Sequence, residues 1–114
     1  MSFEFHLDTH AGVQHLTLTG RLDSATFVTL EKTINGLFSS AGDRVLIDMS
    51  SLSYISSAGL RLMVVAAKRA RQVGGQLILC GLSPTVRDVF EISGFLKIMA
   101  TADTKTEAER ILNP

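Results

Sequence analysis

A chain with a single cysteine, Cys80, cannot close an internal disulfide. That excludes the stapled scaffolds of small secreted domains and points to a reducing compartment, the cytoplasm. An excess of one charge is also missing. Eleven Lys and Arg balance eleven Asp and Glu, so the overall field gives no reason to expect nucleic acid or a membrane surface as partner. No apolar run approaches the roughly 20 residues of a membrane helix, and the opening MSFEFHLDTH lacks a basic start followed by an apolar stretch. The longest mainly apolar window, Leu60 to Ala67, is interrupted by Arg61 and followed by Lys68, Arg69 and Arg71, which reads as a helix in water and not in lipid. Neither the Rossmann nor the P-loop glycine signature occurs, and Gly74 and Gly75 close a helix where such signatures open one, so no cofactor is expected. His6, His10 and His15 fall on two strands and a turn without a fourth ligand at metal-like spacing, so no metal site is expected.

What is present is a foldable chain: 114 residues, 46% of them hydrophobic, enough for one core and too few for two. A single domain over residues 1–114 is expected. Alternation in Phe3, Phe5, Leu7 and in Val13, Leu16, Leu18 predicts two strands joined by a turn around Thr9 to Gly12. Phe27, Leu30, Ile34 and Leu37 recur at helical spacing, predicting a first helix over 24–38 with Asp23 or Ser24 as its N-cap. Val45, Leu46, Ile47 and Met49 form a short, nearly continuous apolar strand, the pattern of a strand covered on both faces. A second helix is predicted over 58–73, stopped by Gly74, and a second buried strand over 76–80 that encloses Cys80 as a core thiol. Ser83 and Pro84 open a third helix with Val86, Val89, Phe90 and Ile92 on its apolar side and Gly94 as its stop. A last strand is placed at 96–99 and a terminal amphipathic helix at 104–112. Helices between the later strands imply right-handed crossovers, hence an α/β fold with a parallel section and an opening hairpin.

The most informative stretch is VLIDMSSLSYISSAGLRLM, where an apolar strand hands over to the second helix at Ser56 and Ser57. Two readings of Ser57 stand side by side. It is either a helix N-cap that satisfies an orphan N–H, or an exposed hydroxyl at the positive end of the helix dipole, able to carry a phosphate. Ser56 is open to the same capping role. An enzymatic reading, a small serine hydrolase, draws on Ser57-Ala58-Gly59 as the second half of a nucleophile elbow. Ile55, however, stands where the elbow needs glycine, and all three histidines precede the serine, so an enzyme is not expected.

Three blocks in order, Gly20-Arg21-Leu22-Asp23, then LIDMSSLSYISSAGLRLM, then GGQLILCGLSPTVRDVFEISGFLKIM, resemble the STAS domain of bacterial anti-sigma factor antagonists over nearly the whole chain. The resemblance implies a mixed sheet of about five strands with four helices packed mainly on one face. It also implies a non-enzymatic, stress-response type of transcriptional switch, a phosphoprotein acting by partner switching. In such a switch the unphosphorylated form binds a serine-kinase anti-sigma factor and frees the sigma factor, and a serine phosphatase resets the phosphorylated form. In the family's Asp-Ser-Ser/Thr-Gly-Leu motif the phosphorylated serine follows the aspartate, which places the modification on Ser57. Ser56 stands in place of the aspartate and Ala58 in place of the second hydroxyl.

Asp23, in the turn that family members bring near the acceptor, has two candidate roles, partner binding and capping of the first helix. On the second helix the spacing assigns Leu60, Met63, Val64 and Ala67 to the core and offers Leu62, Ala66, Arg69 and Val73 as a docking line. Together with Ser56, Ser57, Ala58 and Gly59 these form the expected partner surface. The runner-up within the same fold is a partner-switching protein with a non-sigma target in secretion, signalling or lipid transport. A monomer or weak dimer is expected.

Overall fold

The computed structural model describes residues 3–114. Five strands form one sheet in sequential order, β1 (Glu4–His10), β2 (Val13–Leu22), β3 (Arg44–Ile55), β4 (Gln76–Cys80) and β5 (Ala100–Ala102). The helices are α1 (Phe27–Gly36), α2 (Ser57–Val73), α3 (Pro84–Ser93) and α4 (Lys105–Leu112). β1 and β2 are an antiparallel hairpin, and every later neighbour pairs parallel. The sheet is therefore mixed and β3 is its middle strand, as the apolar run at 45–49 predicts.

Alternation along β3 shows how the two faces are filled. Val45, Ile47 and Met49 point into a large core with Leu16 and Leu18 of β2 and with residues of α1, α2 and α3, whereas Leu46 points to a smaller core with Val13, Ile78, Cys80, Ala108 and Leu112. Three helices thus cover one face and α4 covers part of the other. Capping chemistry sets the helix ends where the sequence places them. Ser83 accepts a hydrogen bond from Val86 N at 3.3 Å and Thr104 from Glu107 N at 3.1 Å, while Gly74 and Gly94 close α2 and α3 in the left-handed conformation.

Several boundaries differ from the sequence reading. α1 begins at Phe27, with Thr26 in the N-cap position making no side-chain cap, and ends at Gly36 rather than at residue 38. β3 runs six residues beyond Met49, because its polar Ser50, Ser51 and Ser53 lie on exposed pleats while Leu52 and Ile55 point inward beside the continuing β2. Phe95–Lys97 is a turn of 3-10 helix, and the edge strand starts only at Ala100. Ile92 is 88% exposed: six residues after Val86, it lies on the side of α3 opposite Val86 and Phe90.

Cys80 is fully buried beneath α4, and burial, reinforced by the Asp48 carboxylate, pushes its thiol up to about 12. At pH 8 the folded protein should react with iodoacetamide at least about a hundredfold more slowly than the denatured chain, because almost no thiolate is present and none is accessible. Intact-mass measurement with and without denaturant checks this, and equal rates would place Cys80 at the surface.

Candidate functional site

The end of β3 and the head of α2 are tied to the end of β2. Leu22 and Ile55 are register partners, and Ser56 N donates to Leu22 O at 2.8 Å, which fixes the end of β2, where Gly20, Arg21 and Leu22 are strand residues and not a turn, against the two serines. Two register shifts in the β2–β3 pair, one between Gly20 and Arg21, twist the strands there. Beside them the Arg21 guanidinium lies 4.2 Å over the Tyr54 ring.

The two serines have different jobs. Ser56 has the extended backbone of an N-cap, its carbonyl accepts from Leu60 N at 2.8 Å, and its hydroxyl accepts from Gly59 N at 3.2 Å. Ser57 is the first helical residue and is exposed, and it takes no cap bond. The capping explanation therefore belongs to Ser56, and the Ser57 hydroxyl has no hydrogen-bond partner among the described residues, at the positive end of a 17-residue helix whose first turn carries no acidic side chain. Ser56→Ala should lower stability by about 1 kcal/mol and Ser57→Ala by less than about 0.5 kcal/mol. Urea denaturation of the two variants checks the assignment, and a reversed order would return the cap to Ser57.

Gly59 explains how the helix can start so close to β2. A Cβ there would stand 2.8 Å from Leu22 Cγ and 3.0 Å from Ile55 Cγ1, and Leu22 is fully buried and has nowhere to move. Alanine would add up to about 1 kcal/mol of helix propensity, but overpacking costs about 1–3 kcal/mol. Gly59→Ala should therefore be less stable by about 1–2 kcal/mol in the same assay, and a gain in stability would mean that the first turn has room to spare.

Asp23 caps its own turn and not the first helix. Its Oδ1 accepts from Ala25 N and Thr26 N, both at 3.0 Å, and from the Thr26 hydroxyl at 3.0 Å. Those bonds from Thr26 and Ala25, with the nearby Arg21 charge, hold its carboxyl below the ordinary carboxylate range. It is thus a fixed negative charge next in sequence to Leu22, on which Ser56 is anchored.

The expected docking line on α2 is not a surface. Leu62 is 4% exposed and Ala66 is fully buried, Val73 packs against the main core, and the Arg69 Nε is enclosed without a hydrogen-bond partner among the described residues. Val64 and Ala67 of the expected core stripe are half-buried and, like Val73, pack against the main core. α2 lies on the sheet and along α1 at once, so its buried arc widens toward Leu62. Ser57 is exposed at the head of the helix, and next to it in sequence Ala58 joins Arg61, Val65, Phe27, Glu31 and Leu62 in lining a shallow groove of about 100 Å³ between α1 and α2. The sequence offers Arg61, with Lys68, Arg69 and Arg71, as a basic face that is either solvated or set against an acidic partner, but it does not single out Val65, which follows Arg61 at helical spacing.

The histidines are remote from this site. At a strand rise of about 3.3 Å per residue, His15, seven residues upstream of Leu22, lies roughly 23 Å away along β2. His6 pairs with Thr17, five residues upstream of Leu22 and so still roughly 17 Å away, far beyond hydrogen-bonding distance. No histidine is in reach of Ser57 to act as its base.

A five-stranded mixed sheet with three helices on one face, and an exposed serine one step inside the helix that follows its middle strand, has the α/β architecture of the STAS type. The family model for the STAS domain matches residues 4–108, and the chain belongs to that family. BtrV of Bordetella bronchiseptica, assigned as an anti-sigma factor antagonist, is 43% identical over 102 residues, covering 90% of this chain and 88% of the relative. The anti-sigma F factor antagonist of Paenibacillus polymyxa is 25% identical over 109 residues, covering 95% and 93%. Among solved structures, an anti-sigma-factor antagonist domain protein of Planctomyces limnophilus matches with a TM-score of 0.88 at 21% identity, over 96% of this chain and 98% of that one, a likeness of fold. No helix among the described residues is long and apolar enough to cross a membrane.

Proposed function

We propose that this chain is a single-domain, cytoplasmic anti-sigma factor antagonist switched by phosphorylation of Ser57. In this reading the unmodified protein binds a serine-kinase anti-sigma factor through the head of α2, and a phosphatase removes the phosphate to restore binding. It is a binding module and not an enzyme. The observation that carries the reading is the division of labour at the strand-to-helix turn: Ser56 supplies the cap, which leaves the Ser57 hydroxyl exposed and without a structural task. Serine at position 56 also does the capping work of the aspartate in the family motif, since both side chains are strong N-caps, but without its charge.

Chemistry then explains the switch. A phosphoserine carries about 1.5 to 2 negative charges at neutral pH, which the helix N-terminus accommodates. The domain therefore keeps its fold, and the dianion acts on the partner, which must desolvate it and keep acidic groups away from it. The sigma-directed partner draws its support from the relatives named as anti-sigma factor antagonists. Incubation with the cognate kinase and ATP, followed by peptide mass spectrometry, should find one phosphate, on Ser57. A phosphate on Ser56 alone, or none, overturns the reading.

A further inference from the structure

We propose that β1 is a pairing edge for a second copy of this chain, joining two sheets into one of ten strands about a two-fold axis through Leu7. The two edges of the sheet are unlike. β5 is three residues long and is followed at once by α4, whereas β1 is seven residues, pairs with β2 without a register break, and has six exposed residues. Edge strands are normally blunted by charged side chains, above all lysine, by proline or by a bulge; Glu4–His10 has no lysine, proline or bulge, and its charged side chains, Glu4 and Asp8, are matched by its own histidines in the pairing described next.

The strand is complementary to itself when reversed. With Leu7 opposite its symmetry mate, Glu4 faces His10, Phe5 faces Thr9 and His6 faces Asp8, so every acid on the strand meets an imidazole of the other copy. A shift of one residue in either direction destroys this match by setting charged positions against apolar ones.

Backbone geometry agrees with that register. The two-residue loop at Ala11 and Gly12, both with positive φ, closes on the His10·Val13 pair, which turns the N–H and C=O groups of the even residues toward β2. Phe5, Leu7 and Thr9 then direct theirs outward, enough for six bonds to a second copy. The acid–imidazole positions become the non-hydrogen-bonded pairs, whose side chains approach most closely. Within one copy His6 Nε2 already lies 3.4 Å from Asp8 Oδ2, with both side chains largely open to solvent. On the other face Leu7, 38% exposed, would be covered by its mate. Because the copies run antiparallel, their Ser57 ends fall at opposite ends of the joined sheet, and pairing leaves both free.

A single strand pair buries less than a standard interface, so association should be weak, with a dissociation constant on the order of 0.1–1 mM. Sedimentation equilibrium of the full chain at rising concentration should show a dimer, with slowed amide exchange at Phe5, Leu7 and Thr9. Asp8→Lys sets lysine against His6, and His6→Glu sets glutamate against Asp8. Each alone should weaken dimerisation about tenfold, while an equal mixture of the two restores a heterodimer resolved by native mass spectrometry. Both sites are exposed, and the unchanged hairpin amide spectrum verifies folding. A monomer at about 1 mM, a dimer indifferent to both substitutions, or a mixture that does not rescue each other overturns the proposal.

Discussion

Ser57→Asp is expected to melt at or slightly above the temperature of the parent protein and to lose most of its affinity for the anti-sigma partner. Both halves follow from the position of the residue. A carboxylate one residue inside the N-terminus of α2 interacts favourably with the helix dipole by about 0.3–1 kcal/mol, and the first turn holds no other acid to repel it. On the partner side, a charge enclosed in a contact built around a neutral hydroxyl costs about 3 kcal/mol, which is over a hundredfold in dissociation constant. The phosphorylated protein, with a larger charge, should bind no better. Calorimetric titration against the partner, with thermal melts of the same samples, gives both numbers. A variant that unfolds would make Ser57 a packing residue, and one that binds normally would move the contact elsewhere.

Leu62→Asp should lose stability outright, by about 4 kcal/mol or more, enough to unfold much of a domain of this size at 37 °C. Leu62 is 4% exposed in the main core, so the substitution both removes a packed side chain and buries an unpaired carboxylate. Arg61→Glu, one residue earlier on the exposed side of the same turn, should cost less than about 0.5 kcal/mol while reversing a charge beside Ala58. Circular dichroism melts separate the two cases. If Leu62→Asp folds normally, the burial of that side chain is wrong and the docking line first read from the sequence regains its place.

That pair of residues also shows where sequence reading stopped. Elements whose ends are written in capping chemistry were legible: Ser83-Pro84 and Gly94 bound α3, Gly74 ends α2, and the apolar run at 45–49 marks the middle strand. The serine turn was legible too, as a place if not as an assignment, since either hydroxyl could have been the cap and only the backbone angles of Ser56 decide. What one helix touches was not. A 3.6-residue period locates an apolar arc but not its width, and α2 buries a wider one because α1 lies along it. Asp23 was misplaced for a similar reason: aspartate before a helical pattern reads as an N-cap, yet its bonds to Ala25 and Thr26 close a separate turn that delays α1 to Phe27. The polar second half of β3 was hidden because serines are weak strand signals, and it extends only where β2 runs beside it.

The Arg21–Tyr54 stack has a practical side. The chain holds one tyrosine and no tryptophan, so its ultraviolet emission comes from a single ring, three residues before Ser57. Whatever displaces the guanidinium from that ring will alter the emission, which makes the native protein a label-free optical sensor of events beside its own strand-to-helix turn.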